Sequence, residues 1–161
     1  MLIIKDNVLS EDARQFAIQC FENVESGKMH WIDGNTEQLL SFRSILSSIL
    51  EIAGKHFDLS TMVGCEYWAH YTTRPDWHYD KDERLFDETG EIKTPICSIV
   101  YYPKIENLIA GRFLTRTEKI MPKQNRLIMF SPGIEHSVEP FYGNRLSVAI
   151  NPWSYKLKDY K

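Results

Sequence analysis

The segment His136-Ser137-Val138-Glu139-Pro140-Phe141-Tyr142-Gly143-Asn144-Arg145-Leu146-Ser147-Val148-Ala149-Ile150-Asn151 holds two extended runs around a turn at Phe141 to Asn144. In the second run Leu146, Val148 and Ile150 fall on one face, and Arg145 and Ser147 on the other. That period of two is the mark of a strand with one apolar face. A hairpin about the turn predicts Arg145 returning beside the His136 strand. An inward guanidinium needs an anion, because an unpaired buried charge is costly. Arginine is also the side chain suited to a bidentate carboxylate clamp.

Working outward, the same period governs everything after residue 60. Cys65, Tyr67, Ala69 and Tyr71 alternate with Glu66, Trp68, His70 and Thr72. Pro95 to Tyr102, Arg112 to Thr115 and Arg126 to Phe130 are further β-rich runs. Short segments at Trp77–Asp80 and Glu118–Met121 bring the expectation to about eight strands. The first third reads as helical. Ser10 caps a helix with Glu11 and Asp12 in its first turn and a stop at Gly27. A second helix is predicted from Thr36 to Ala53, with Leu39, Phe42, Leu46, Ile49, Leu50 and Ala53 as its apolar stripe. Two helices and then many short strands predict a mainly β chain. Its core would be a jelly roll with N-terminal helices packed outside.

With 161 residues the chain is expected to be a single domain. It divides into a helical flank (1–60), a β core (61–153) and a C-terminal tail (154–161). A net charge of -3 argues against general nucleic-acid binding. No apolar run has the length of a membrane span. Cys20, Cys65 and Cys97 are odd in number and far apart, unlike a disulfide framework, so a reducing, cytoplasmic setting is expected.

Two His-x-Asp triplets occur, His56-Phe57-Asp58 and His78-Tyr79-Asp80. The first follows the second helix and reads as surface or capping groups. The second lies in an extended stretch, where residues two apart point the same way, so an imidazole and a carboxylate converge. His136, opening its own extended run, is the candidate third ligand. Two histidines and one carboxylate suit a non-haem Fe(II) site, and the same set also serves zinc hydrolysis. Arg145 favours iron, since a co-substrate with one end on the metal and a carboxylate at the other would use it.

These blocks resemble the 2-oxoglutarate- and Fe(II)-dependent oxygenases, in particular their prolyl-4-hydroxylase-like and small viral or bacterial branches. The matching residues are Trp77 to Asp80, Ser98 to Pro103, Gly111 with Phe113, Arg126 to Gly133, and His136 through Trp153. The resemblance implies a double-stranded β-helix with Fe(II) on His78, Asp80 and His136. It implies 2-oxoglutarate with its distal carboxylate on Arg145, helped by Ser147, and O2 as oxidant. Tyr71 and Tyr101 stand at positions of assisting tyrosines, or equally in the core. The activity implied is hydroxylation of a C–H bond in a peptide, protein or metabolite, for instance a prolyl side chain. The family's Gly-Gly is Ala110-Gly111 here, and its prolyl-hydroxylase lysine is Arg145. A cupin- or lectin-like binding module is the rival reading; it explains the strands but not Arg145.

Between the ligand pair and the next strand lies the charged stretch Lys81–Lys93. It reads either as a solvated loop or as a flap over the metal. In the flap reading Leu85 and Phe86 are its apolar substrate contacts and Arg84 is an anchor for an anionic group.

Overall fold

The computed structural model describes residues 1–34, 40–71 and 76–160, with only the backbone for 40–43. It is mainly β, two antiparallel sheets packed as a double-stranded β-helix with helices outside. The large sheet holds β1 (Leu2–Asp6), β7 (Arg126–Phe130), β4 (Ser98–Ala110), β9 (Phe141–Trp153), β3 (Gly64–His70) and β2 (His30–Asp33), in that order. The small sheet is β6 (Lys119–Ile120), β5 (Phe113–Thr115) and β8 (His136–Val138).

Each central strand of the large sheet has two buried faces. Ile99, Tyr101, Leu127, Met129, Leu146, Val148 and Ile150 turn outward. They pack under α1 (Glu11–Phe21) and α2 (Leu40–Gly54), which contribute Ala17, Phe21, Ile45, Leu46 and Ile49. The opposite residues, Tyr102, Ile128 and Phe130, turn inward with Phe113 and Ile120 of the small sheet. Ser10 caps α1 by accepting from the Ala13 N–H at 3.2 Å. The buried Arg14 crosses from α1 to donate to the Pro103 carbonyl at 2.8 Å, where β4 is bulged against β9.

The structure departs from the sequence expectation at several elements. The first sixty residues are not only helical: β1 and β2 form the two edges of the large sheet. α1 stops at Phe21 rather than Gly27, and the Gly27 N–H bonds the Ala69 carbonyl on β3. The described part of α2 begins at Leu40; residues 36–39 lie outside the described residues. The Trp77–Asp80 segment is not a strand but a single bridge, His78 to His136. Finally, β8 and β9 are not a hairpin. The intended turn residues already belong to β9, where Asn144 pairs with Glu106 and Phe141 with Ala110. β8 pairs instead with β5. Arg145 therefore stands on a different sheet from His136, not beside it on one. No helix among the described residues is long and apolar enough to cross a membrane.

Candidate metal centre and anion pocket

Three side chains from two parts of the chain converge between the sheets. His136 opens β8, and backbone bonds in both directions tie it to His78 (3.1 and 2.7 Å). Asp80 follows two residues later. Ligand atoms of His78, Asp80 and His136 all lie within 4.8 Å of one another. The Asp80 Oδ1 atom is 4.0 Å from Nε2 of each histidine.

The tautomers follow from the backbone. Nδ1 of His78 is 3.0 Å from the Asp76 carbonyl, and Nδ1 of His136 is 3.0 Å from the Ile134 carbonyl. A carbonyl oxygen accepts only, so each Nδ1 carries a proton, and Nε2, turned toward Asp80, is the ring nitrogen left for a metal. This is the outer bond that orients metal-ligating histidines. His136 stacks on Phe113 and meets Phe130 edge-on, with centroids at 5.4 and 4.9 Å. Burial there lowers its pKa, against the pull of Asp80, and favours the neutral ring a metal requires. The remaining carboxylate oxygen, Asp80 Oδ2, accepts from the buried Ser98 hydroxyl at 2.5 Å.

Arg145 stands on the inner face of β9 and is 4% exposed. Its guanidinium lies 4.5 Å from the Phe141 ring and 5.9 Å from the Tyr102 ring. Nη1 donates to the Gly111 carbonyl at 3.2 Å. Gly111 holds φ +78, and a Cβ there would stand 2.9 Å from the Phe141 Cβ, so only glycine brings this carbonyl so close. Nε of Arg145 is buried with no partner, and no carboxylate pairs with the guanidinium among the described residues. Burial lowers its pKa, yet arginine remains charged. Ser147, on the same face, donates to the His70 carbonyl at 3.4 Å.

The two tyrosines named from sequence do not enter this space. Tyr101 faces the helices and donates to Asn125 Oδ1 at 3.0 Å. Tyr71 lies past the end of β3 and its hydroxyl donates to the Phe21 carbonyl at the end of α1. Tyr102 is the tyrosine of the pocket: its ring is buried beside Arg145, and its hydroxyl has no hydrogen bond among the described residues. Ser98 and Tyr102 both escaped the sequence reading. The register shift between Tyr101 and Lys104 hides them, because it turns the even-numbered residues of β4, rather than those in step with Ile105, to the face of Arg145.

Arg84 and Phe86 belong to a helix, α3 (Glu83–Thr89), in what read as an unstructured loop. Asp82 caps its start and Gly90, at φ 75, its end. Arg84 is already engaged by Glu88 (2.9 Å) and Asp159 (3.0 Å), which removes the free cation expected there. Phe86 is partly exposed, with the Lys81 ammonium 5.0 Å from its ring. His56 and Asp58 are exposed, and Asp58 accepts from the Ser60 N–H as a turn group.

Solved structures share this arrangement of sheets and helices. A viral collagen prolyl hydroxylase from Paramecium Bursaria Chlorella virus-1, solved with 2OG, matches at TM-score 0.60. It is 15% identical, over 96% of each chain. A Trichoplax adhaerens prolyl hydroxylase, in complex with a hypoxia inducible factor oxygen degradation domain peptide, matches at TM-score 0.65. That match has 16% identity and covers 99% of this chain and 86% of that one. The fold is that of the 2OG-Fe(II) oxygenases. A family member from Burkholderia pseudomallei adds a third match, at TM-score 0.60 and 10% identity, covering 96% of this chain and 84% of that one. No family model and no curated protein matches the sequence.

Proposed function

We propose that the protein is an Fe(II)- and 2-oxoglutarate-dependent dioxygenase that hydroxylates a C–H bond of a peptidyl side chain such as proline. The observation that carries this reading is Arg145, a buried cation with no counter-ion among the described residues, on the inner face whose Tyr102 packs with Phe113 and Phe130, the two rings against His136. A lone buried guanidinium is stable only if an anion completes it. The donor set fits iron: two neutral imidazoles and one carboxylate make the facial triad that leaves positions open. Nε2 of each histidine and Oδ1 of Asp80 would hold the metal. The metal and co-substrate together supply the oxidation, in which a C–H bond, O2 and 2-oxoglutarate become C–OH, succinate and CO2.

The protein's own part is binding and exclusion of water. Arg145 meets the distal carboxylate, with Ser147 on the same face. Phe141 and Tyr102 wall the guanidinium off, which strengthens its attraction for an anion. A peptide as substrate is supported by an open groove of about 550 Å³ at the edge of the small sheet, lined by Met1, Leu2, Thr115, Arg116, Ile134 and Glu135. Thr115 of that groove pairs with His136 in the small sheet, and Ile134 and Glu135 precede it in the chain. The free cysteines Cys20, Cys65 and Cys97 support a cytoplasmic setting.

The test is succinate release with Fe(II) and 2-oxoglutarate against a panel of prolyl and other peptides, paired with 2-oxoglutarate binding to the Mn(II)-loaded protein. Arg145→Ala is expected to lose on the order of 3–5 kcal/mol of that binding, a factor of several hundred or more. Unchanged affinity in Arg145→Ala, together with no succinate, would leave a jelly-roll binding module.

A further inference from the structure

Asp80 divides its two oxygens between two tasks. Oδ1 faces Nε2 of both histidines at 4.0 Å, while Oδ2 is held by the Ser98 hydroxyl at 2.5 Å. Ser98 is 2% exposed and is the first residue of β4, which lies between β7 and β9 inside the large sheet. Its backbone is fixed by pairing opposite Phe130, and its side chain shares the inner face with Val100 and Tyr102. Asp80 has no such support of its own. It follows an isolated bridge rather than a strand, and the chain turns at once into the N-cap of α3. Of the two partners, Ser98 is the rigid one.

We propose that Ser98 is a positioning residue that locks Asp80 as a one-oxygen metal ligand. The inference rests on the metal reading above and deepens it. A carboxylate with both oxygens free can rotate and chelate an ion through both. That would fill one of the positions a facial triad keeps open for a chelating co-substrate and O2. A hydroxyl donating to Oδ2 occupies that lone pair and fixes the plane of the carboxylate, leaving Oδ1 aimed at the two imidazoles. Outer partners of this kind commonly govern metal affinity by roughly 10- to 100-fold. The arrangement also accounts for a buried serine on a strand face otherwise lined by Val100, Tyr102, Ile128 and Phe130.

The experiment is Mn(II) titration by calorimetry of the parent, Ser98→Ala and Ser98→Thr. The thermal midpoint of each is also recorded in chelator, to separate folding from ligation. Ser98→Ala is expected to weaken Mn(II) binding at least 10-fold with a metal-free midpoint close to the parent's. Ser98→Thr, which keeps the hydroxyl, should restore most of the affinity. Should Ser98→Ala fold poorly, the Thr variant decides. Thr affinity within about threefold of the parent supports the role, and a 10-fold loss despite the retained hydroxyl overturns it. Equal Mn(II) affinity in parent and Ser98→Ala overturns the role of Ser98 while leaving the metal centre standing. A parent that takes up no Mn(II) overturns the metal reading itself.

Discussion

Both faces of the large sheet are buried and apolar in the main, and they differ in the polar groups they carry. Toward the helices stand Ile99, Tyr101, Leu127, Met129, Val148 and Ile150, and the Tyr101 hydroxyl is paired. Toward the small sheet, the same strands carry Ser98, Tyr102, Arg145, Ser147 and Asn151. There Arg145 Nε and Asn151 Oδ1 are buried without partners. Burial alone therefore does not distinguish core from site. On the central strands what distinguishes them is whether the polar atoms are satisfied, since an unpaired buried group costs about 1–3 kcal/mol and persists where a ligand completes it; His30, whose Nε2 is also buried without a partner, lies outside this pattern on the edge strand β2. One face holds the fold, and the other holds room for chemistry.

The strongest challenge to this division removes a ligand. Asp80→Ala should abolish the rise in unfolding midpoint that Mn(II) gives the parent, because only a metal bound to the folded state stabilises it. His56→Ala, in the other His-x-Asp triplet, should keep the full rise. The reverse pattern would put the metal at the exposed turn after α2 and empty the inner face of its function.

The helix face is tested by Ile150→Ala, which should cost roughly 2–5 kcal/mol of stability, as large-to-small changes in packed cores do. Its neighbours on β9 point the other way, so 2-oxoglutarate affinity at a temperature where both proteins are folded should match the parent. A fall in that affinity comparable to the stability loss would show the two faces to be coupled.

Much of this division is present in the sequence. The alternation of Leu146, Val148 and Ile150 with Arg145 and Ser147 shows two faces, and the order His78-x-Asp80, His136, Arg145 sketches the site. The rest depends on contacts distant in sequence. Whether Tyr101 or Tyr102 joins Arg145 is decided by the β4–β9 register and its bulge, which no local pattern encodes. β1 and β2 are short edges whose strand character comes from β7 and β3. α3 has no buried residue and hence no apolar stripe; caps and ion pairs hold it. Its signal was Asp82 and Gly90, readable as caps.

Glu66 gives a milder test, on the inner face beside Asn151. Burial raises its carboxyl to about 7, against the hydrogen bond from Tyr160, with Asp80, Asp159 and Asp82 adding to the rise. The unfolded chain releases this proton near 4.5 and the folded protein holds it to about 7. Stability contributed by the group is therefore full below 4.5 and declines as pH rises to about 7. The decline is at most roughly 3 kcal/mol at 1.36 kcal/mol per unit. Glu66→Gln should flatten the stability profile across that window. A profile of unchanged slope would mean the carboxyl is ionised in the folded protein.

The smallest effect is the sharpest, because it compares neighbours. Tyr101→Phe removes a hydrogen bond to Asn125, whose amide also holds Leu9 through its backbone N–H and carbonyl. The expected cost is about 0.5–1.5 kcal/mol of stability, with 2-oxoglutarate affinity unchanged. Tyr102→Phe removes a hydroxyl that bonds nothing among the described residues, so stability should stay within about 0.5 kcal/mol of the parent. Its hydroxyl is free to donate to an anion beside Arg145, so here the affinity for 2-oxoglutarate should fall about two- to tenfold, the worth of one such bond. Denaturant unfolding and calorimetric titration of both variants give four numbers. A crossed pattern, stability lost in one and affinity in the other, is what opposite faces require. Parallel losses in both would mean that the bulge in β4 does not separate the two tyrosines in solution.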